Sequence, residues 1–308
     1  MITIAGPSPS VDITYVVDDY RLGQIHRPTT VARCPGGKAL NMARAARRVG
    51  GDVALVTILG GANGRWIADG LEAEGVGTTT VPGTLETRTC VSVSSRATGT
   101  LTEVYEHAPD TPVELWEALC VEVDGLVAQR PGWLSTSGSM PRGLPTDTLA
   151  SLVRLGHRRG VKVAIDHQGA MLAPALAERP DLLKINRAEA AATLGIDADG
   201  DLGGMARALA ERTGGTVVLT DGADGAIGWD GDALVRASLP DVHGAYPVGS
   251  GDSFLGGLLA TLDTGAALSD ALRTAIACGA ANALVPGAAQ FDADEARRLA
   301  TEVVIDAQ

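Results

Sequence analysis

Apolar and polar positions change rhythm several times along the chain, and each rhythm predicts an element. A short strand over 2–5 opens the sequence and is cut by Gly6-Pro7. Residues 52–60 carry the run Val-Ala-Leu-Val-Thr-Ile-Leu, which fits a strand buried on both faces. From about residue 112 helical and strand patterns alternate. They predict helices over 114–129, 146–159 and 202–213, and one after residue 186 ending near 194. Strands are predicted over 132–136, 161–166, 182–186 and 216–220. Residues 226–229 and 233–239 read as a hairpin about Asp230-Gly231, and the C-terminal part as helices over 251–263, 268–285 and 292–305. Repeated strand–helix units imply a mainly parallel sheet covered on both faces by helices.

Two stretches break this rhythm. Residues 11–35 hold Val-rich runs interrupted by Asp18-Asp19 and Gly23. Residues 78–81, 90–94 and 102–105 alternate apolar and polar with period two, the pattern of strands with one wet face. Together, 11–35 and 78–108 predict a small separate sheet, in the manner of a lid. Between them, Gly36-Gly37 opens a helix that Gly50-Gly51 closes, and 63–74 is a second helix. No internal repeat, biased segment or linker stands out, so 1–308 reads as one domain with a lid.

Composition adds a few limits. Hydrophobic residues make up 45% but aromatics only 3%, so Val, Leu, Ile and Ala must fill the core. The net charge of −12 argues against a nucleic-acid surface. It leaves room for an anionic small substrate held by a few local Arg and Lys residues. The dispersed cysteines (Cys34, Cys90, Cys120, Cys278) form no Cys-x-x-Cys pair, and the histidines form no metal-binding pair. Reduced thiols and a cytoplasmic protein are expected. The start of the chain lacks a basic, then apolar leader, and no run approaches about 18 apolar residues, so no membrane span is expected.

Candidate chemistry sits in two glycine-marked turns. Gly249-Ser250-Gly251-Asp252-Ser253 stands just before an apolar helix. A glycine turn into a helix N-terminus presents unpaired N–H groups and a partial positive charge, an anion site. Asp252 there is either a helix cap or a general base beside that site. The segment is not a Walker A loop, and Phe254 spoils a dinucleotide glycine pattern. The second turn, Gly36-Gly37-Lys38-Ala39-Leu40-Asn41, puts Lys38 and Asn41 on one helix face. It is either a tight turn with surface polar residues or a place where ligand meets backbone.

These signatures, in this order, resemble those of the PfkB (ribokinase-like) family of carbohydrate kinases. The resemblance runs over nearly the whole chain. Ser8-Pro9-Ser10-Val11-Asp12, Leu59-Gly60-Gly61-Ala62-Asn63-Gly64 and Thr136-Ser137-Gly138-Ser139-Met140-Pro141 are similar to its strand-end motifs. Lys184-Ile185-Asn186-Arg187-Ala188-Glu189 is similar to its Asn-x-x-Glu motif, and Thr220-Asp221-Gly222-Ala223-Asp224-Gly225 to its nucleotide loop. Glu86-Thr87-Arg88-Thr89 and Gly99-Thr100-Leu101-Thr102-Glu103 resemble the 1-phosphofructokinase and tagatose-6-phosphate kinase branch.

The resemblance implies a ribokinase-like three-layer α/β/α sandwich with a β lid. It implies transfer of the ATP γ-phosphoryl group to a hydroxyl of a sugar phosphate. Asp252 would be the base, and Gly249, Ser250 and Gly251 would supply the anion hole. Asp12, Gly36, Gly37, Lys38, Asn41, Arg88, Ser137 and Ser139 would bind the sugar, with Arg88 and Lys38 or Arg27 on its phosphate. Lys184, Asn186, Glu189, Thr220, Gly222, Gly225 and Asn282 would face the nucleotide. Asn186 and Glu189 would organise Mg2+ through water, and the expectation extends to a monovalent cation. A homodimer joined through the lid is also implied. Kinases of unphosphorylated sugars or nucleosides on the same fold, and a non-catalytic binding regulator, are the competing readings. The chain departs from the branch at Ala39, Ser250, Ile185, Asp221 and Asp166-His167-Gln168-Gly169.

Overall fold

The structure is a computed structural model that describes residues 1–240 and 242–307. The chain enters through β1 (Ile2–Gly6) and then leaves the main layer for β2 (Ser10–Val17) and β3 (Thr30–Gly36). It returns through α1 (Lys38–Arg48), β4 (Val53–Leu59), α2 (Gly61–Ala73) and β5 (Gly77–Pro82). A second excursion forms β6 (Thr89–Ser95) and β7 (Thr100–Tyr105). Alternating elements follow: α3 (Val113–Gln129), β8 (Trp133–Ser137), α4 (Thr148–Arg158), β9 (Lys162–Asp166), α5 (Leu172–Ala177) and β10 (Leu182–Asn186). After α6 (Arg187–Leu194), α7 (Leu202–Thr213) and β11 (Thr216–Thr220) comes the hairpin β12 (Ala226–Trp229) and β13 (Leu234–Ser238). The chain ends with α8 (Ser250–Leu262), α9 (Leu268–Ala283), α10 (Ala293–Ala300) and β14 (Val304–Ala307).

One sheet takes the strands in the order β14-β13-β12-β11-β10-β9-β8-β1-β4-β5. Every pairing from β5 through to β11 is parallel, and the remaining three strands add antiparallel. Alternation along β4 feeds two cores. Val53, Leu55 and Leu59 pack with α1, α2, α8, α9 and α10, while Val56 and Ile58 pack with α3, α4 and α7. The molecule is therefore the expected three-layer α/β/α sandwich, and a strand buried on both faces reads as a continuous apolar run.

The smaller sheet has the order β3-β2-β6-β7, with a parallel β2–β6 pair between two antiparallel ones. Its apolar side chains Val31, Val104 and Tyr105 remain exposed. Residues 78–81, expected in this lid, instead form the edge strand β5 of the large sheet beside β4. Their alternation marks an edge rather than a lid, since an edge strand also has a wet side. The helix expected over 292–305 stops at Ala300, and β14 then extends the large sheet next to β13. The helix α5, with Pro174 in its first turn, has no counterpart in the expected elements. Among the described residues no helix is long and apolar enough to cross a membrane.

Candidate active site

The carboxyl ends of β1, β8, β9 and β10 point toward the N-termini of α1 and α8. That edge of a parallel sheet is where α/β folds bind ligands. α8 lies between α1 and α9 at very short range. A Cβ on Gly256 would come within 2.5 Å of the Met42 carbonyl oxygen, and one on Gly257 within 2.7 Å of Cys278 Sγ. Gly256 thus lets α1 and α8 meet closely enough for their first turns to share a site, and Gly257 does the same for α8 and α9.

Asp252 lies in the first turn of α8 and is buried. No side chain caps this helix, so the carboxylate is not spent on an N-cap bond. Asn41 Nδ2 donates to Asp252 Oδ2 at 2.9 Å. Asn41 Oδ1 is buried with no partner, an acceptor left for an incoming hydroxyl. Burial pushes the Asp252 carboxyl up to about 6, against the pull of Lys38 and the Asn41 hydrogen bond. A carboxylate with that value is mostly ionised at neutral pH yet more basic than an ordinary Asp, which suits a general base. Gly249 takes a left-handed conformation with φ 81°, which a glycine adopts freely. The Ser250 N–H, expected to serve the anion hole, already donates to the Pro247 carbonyl at 3.0 Å. Gly251 and Asp252 carry the first-turn N–H groups without a backbone acceptor among the described residues.

A buried ion pair stands beside this turn. Lys184 Nζ donates to Asp166 Oδ2 at 3.2 Å, and the Ser137 hydroxyl donates to the same oxygen at 3.0 Å. Burial raises the Asp166 carboxyl, but Lys184 and Lys38 outweigh it and hold it below the usual carboxylate range. Asp166 in turn raises Lys38, with Asp252 adding to the effect. Lys184 Nζ is also 3.1 Å from where a Cβ on Gly251 would stand. Two ammonium groups therefore flank the N-terminus of α8. Asp166 appears among the expected residues only as a departure, yet it anchors this cluster. The neighbouring His167 is buried and forced down to about 4 by that burial, so its imidazole is neutral. With Lys38 and Ser139 it lines a cavity of about 290 Å³.

On the other side of the α8 turn, Thr220, Gly222 and Gly225 line a second cavity of about 330 Å³ together with Ser250, Gly251 and Phe254. The residues of the β11–β12 loop and the α8 turn thus share one cavity. Asp221 does not point into it. Its carboxylate receives two hydrogen bonds from Arg187, at 2.6 and 2.7 Å, and is held low by them. Asn186 and Glu189 form a reciprocal capping box at the start of α6, each bond 2.9 Å. Asn186 is exposed and Glu189 half-buried. Among the described residues no group of three or more His, Cys, Asp or Glu side chains could hold a metal ion. Asn282 is fully buried behind the α8 turn, with both ends of its amide bonded to protein. It does not reach the cavity as a direct nucleotide contact.

The lid side brings Asp12, Gly36, Gly37 and Asn41 together. Asp12 accepts from Ser10 Oγ at 2.6 Å and from the Gly37 N–H at 3.4 Å, and burial raises its carboxyl. A Cβ on Gly36 would sit 2.0 Å from Asp12 Cγ, so only glycine admits that carboxylate. The Glu-Thr-Arg-Thr segment is strongly tied to structure. Glu86 takes the N–H groups of Ala62 and Asn63 at the start of α2, and Thr87 Oγ1 takes that of Gly60. Arg88 gives N–H groups to the carbonyls of Glu106 at 3.1 Å, Pro9 at 3.4 Å and Ser8 at 3.5 Å. Of its five donors, two remain.

A ribokinase-like sandwich with a buried carboxylate at a cation-flanked helix N-terminus defines a phosphotransferase of the sugar-kinase class. A model of the pfkB family carbohydrate kinases matches residues 8–295, and the chain belongs to that family. It is a carbohydrate kinase. Its sequence is 28% identical to tagatose-6-phosphate kinase of Staphylococcus epidermidis, over 96% of each chain. Its structure is similar to phosphofructokinase-2 of Escherichia coli in complex with substrates and products. That match has a TM-score of 0.90 and 25% identity, and covers 97% of this chain and 98% of that one. The same Escherichia coli enzyme in complex with potassium matches with a TM-score of 0.88.

Proposed function

We propose that this chain transfers the γ-phosphoryl group of ATP to a hydroxyl of a ketose phosphate of the fructose or tagatose type. Asp252 carries the reading: it is buried, uncommitted to a cap, held by Asn41 and tuned to about 6. As the acceptor oxygen attacks in line, Asp252 takes its proton. The N–H groups of Gly251 and Asp252, with Lys38 and Lys184, stabilise charge on the group in transit. Asp12, Gly37 and the free Asn41 oxygen orient the sugar, and the lid excludes water. Asn186 and Glu189 would hold Mg2+ through water, and the ion would supply charge neutralisation at the phosphates. The nucleotide base occupies the cavity beside Thr220 and Gly225.

Support for a phosphorylated acceptor comes from the named relatives and from the two spare donors of Arg88. The three bonds Arg88 already makes to carbonyls favour a second reading, a kinase of unphosphorylated sugars in which Arg88 only braces the lid. An ADP-release assay over fructose 1-phosphate, fructose 6-phosphate, tagatose 6-phosphate, fructose and ribose separates them. Arg88→Ala should raise KM for phosphorylated acceptors by roughly 10-fold or more, as loss of a charged bidentate partner does, and leave free sugars unaffected. Equal effects on both acceptor classes would reject the phosphate contact. The exposed Val31, Val104 and Tyr105 favour a homodimer that covers the lid, in a cytoplasmic enzyme. A monomer at micromolar concentration in sedimentation would overturn the dimer.

A further inference from the structure

Asn282 stands in the last turn of α9, fully buried, where two loops meet behind the N-terminus of α8. Its Nδ2 donates to the Val248 carbonyl at 2.8 Å, to Ser250 Oγ at 3.1 Å and to the Tyr246 carbonyl at 3.5 Å. Its Oδ1 accepts the Ala289 N–H at 2.7 Å and the Ser253 hydroxyl at 3.2 Å. The first set of atoms belongs to the segment that leads into α8, and Ala289 belongs to the segment that leaves α9. The two segments touch. A Cβ on Gly249 would stand 2.6 Å from that of Ala288. One neutral amide therefore ties together both walls of the turn that carries Asp252.

The chemistry of the Nδ2 side is unusual. Two backbone carbonyls and one hydroxyl converge on a single nitrogen. A primary amide has two hydrogens, so these oxygens outnumber the donors that serve them. Convergent carbonyl and hydroxyl oxygens are the groups that replace the hydration shell of a monovalent cation. Here the amide nitrogen already fills that position. A monovalent cation, expected for this chain from its family resemblance, does not fit these oxygens while Asn282 is present. Ser250 contributes to the arrangement, and it is one of the positions where the chain departs from its branch.

We propose that Asn282 is a positioning residue that does the work of a monovalent cation at the phosphoryl-transfer turn, so that this kinase turns over without potassium or sodium. The proposal rests on the kinase reading above. It adds that the turn is held permanently by a side chain instead of conditionally by an ion.

The test compares three proteins in tetramethylammonium buffer and in the same buffer with potassium or sodium chloride. ADP release and melting temperature are both measured. The wild type should change turnover by less than about twofold between buffers, and its melting temperature should not respond to potassium beyond the general effect of salt. Asn282→Ala should lower kcat roughly tenfold or more with KM for the sugar little changed, because the loss falls on the transition state. Asn282→Asp puts a carboxylate oxygen where the donor was and creates a four-oxygen cation site. Its turnover should fall in tetramethylammonium and recover in potassium or sodium, and the cation should raise its melting temperature. Strong potassium activation of the wild type, or a potassium-specific rise in its melting temperature, would overturn the proposal. So would a folded Asn282→Ala with unchanged kcat, or one whose only defect is a raised KM for ATP. If the variants fail to fold, the wild-type cation titration still decides. A wild type inactive with every sugar would sink the kinase reading instead, and its melting response to potassium would then judge Asn282 alone.

Discussion

Replacing Asp252 by Asn should make the protein nearly inactive and more stable at once. The side chain keeps its size and can still accept the Asn41 hydrogen bond. What disappears is a buried negative charge. Burial lifts the Asp252 carboxyl from 3.8 to about 6, which means the folded state disfavours its ionised form. At ~1.4 kcal/mol per pH unit, that interval amounts to about 3 kcal/mol of stability given up at pH 8. The sign follows from linkage. Below pH 3.8 both folded and unfolded forms hold the proton and nothing is lost. Between 3.8 and about 6 the cost grows, and above that it is constant. The Asn variant should therefore melt several degrees higher than the wild type at pH 8, and show almost no advantage near pH 4. Its kcat should fall by roughly 10²–10⁴-fold, the usual size of lost base catalysis. Thermal melts at several pH values, paired with ADP-release kinetics, measure both. A variant that keeps near-native turnover would show that Asp252 is not the base. A variant less stable than wild type at pH 8 would show that the burial of its charge is not the governing term.

Three further outcomes follow from the same geometry. In the wild type, kcat/KM should drop as pH falls through about 6, where Asp252 gains its proton, and Asn41→Asp should shift that limb to higher pH because a second carboxylate disfavours the charged form. Gly36→Ala should displace the Asp12 carboxylate and raise KM for the sugar, by up to about 10²-fold for an ångström of misplacement, while melting changes less. Lys184→Met should leave Asp166 buried without its nearest cation, costing roughly 3 kcal/mol of stability and weakening ATP binding, both readable by denaturant titration and KM.

Long continuous patterns were the most legible in the sequence. The run in β4, the helices α1 and α8 and the hairpin β12–β13 all follow from periodicity and glycine turns. The failures are local and have physical causes. β5 is an edge strand, and its three threonines with one wet side look the same as a lid strand. β14 is short, and nothing in Val304–Ala307 says that it will find β13 rather than continue α10. The site splits in the same way. Gly36, Asn41, Gly249 and Asp252 stand out locally as two glycine-marked turns, but the choice between cap and base for Asp252 comes only from the family resemblance. Asp166 was not legible, since its role depends on β9 lying beside β10 and on Lys184 reaching it from the next strand. Arg88 and Asn186 were legible as residues of interest, but their capping and bracing bonds were hidden, because those depend on which backbone groups the fold brings near.

The contact of α8 with α1 and α9 has a bearing on how this enzyme can change. Gly256 and Gly257 bring α8 into close contact with α1 and α9. Nothing soft stands behind Asp252 to absorb a substitution. An added methyl there would move Asp252 and α1 together. The most exposed part of the lid is its outer strand β7, which can vary with little effect on this joint. On the function proposed above, the chemistry rests on one rigid joint, and the outer lid strand is a part that can vary without disturbing it.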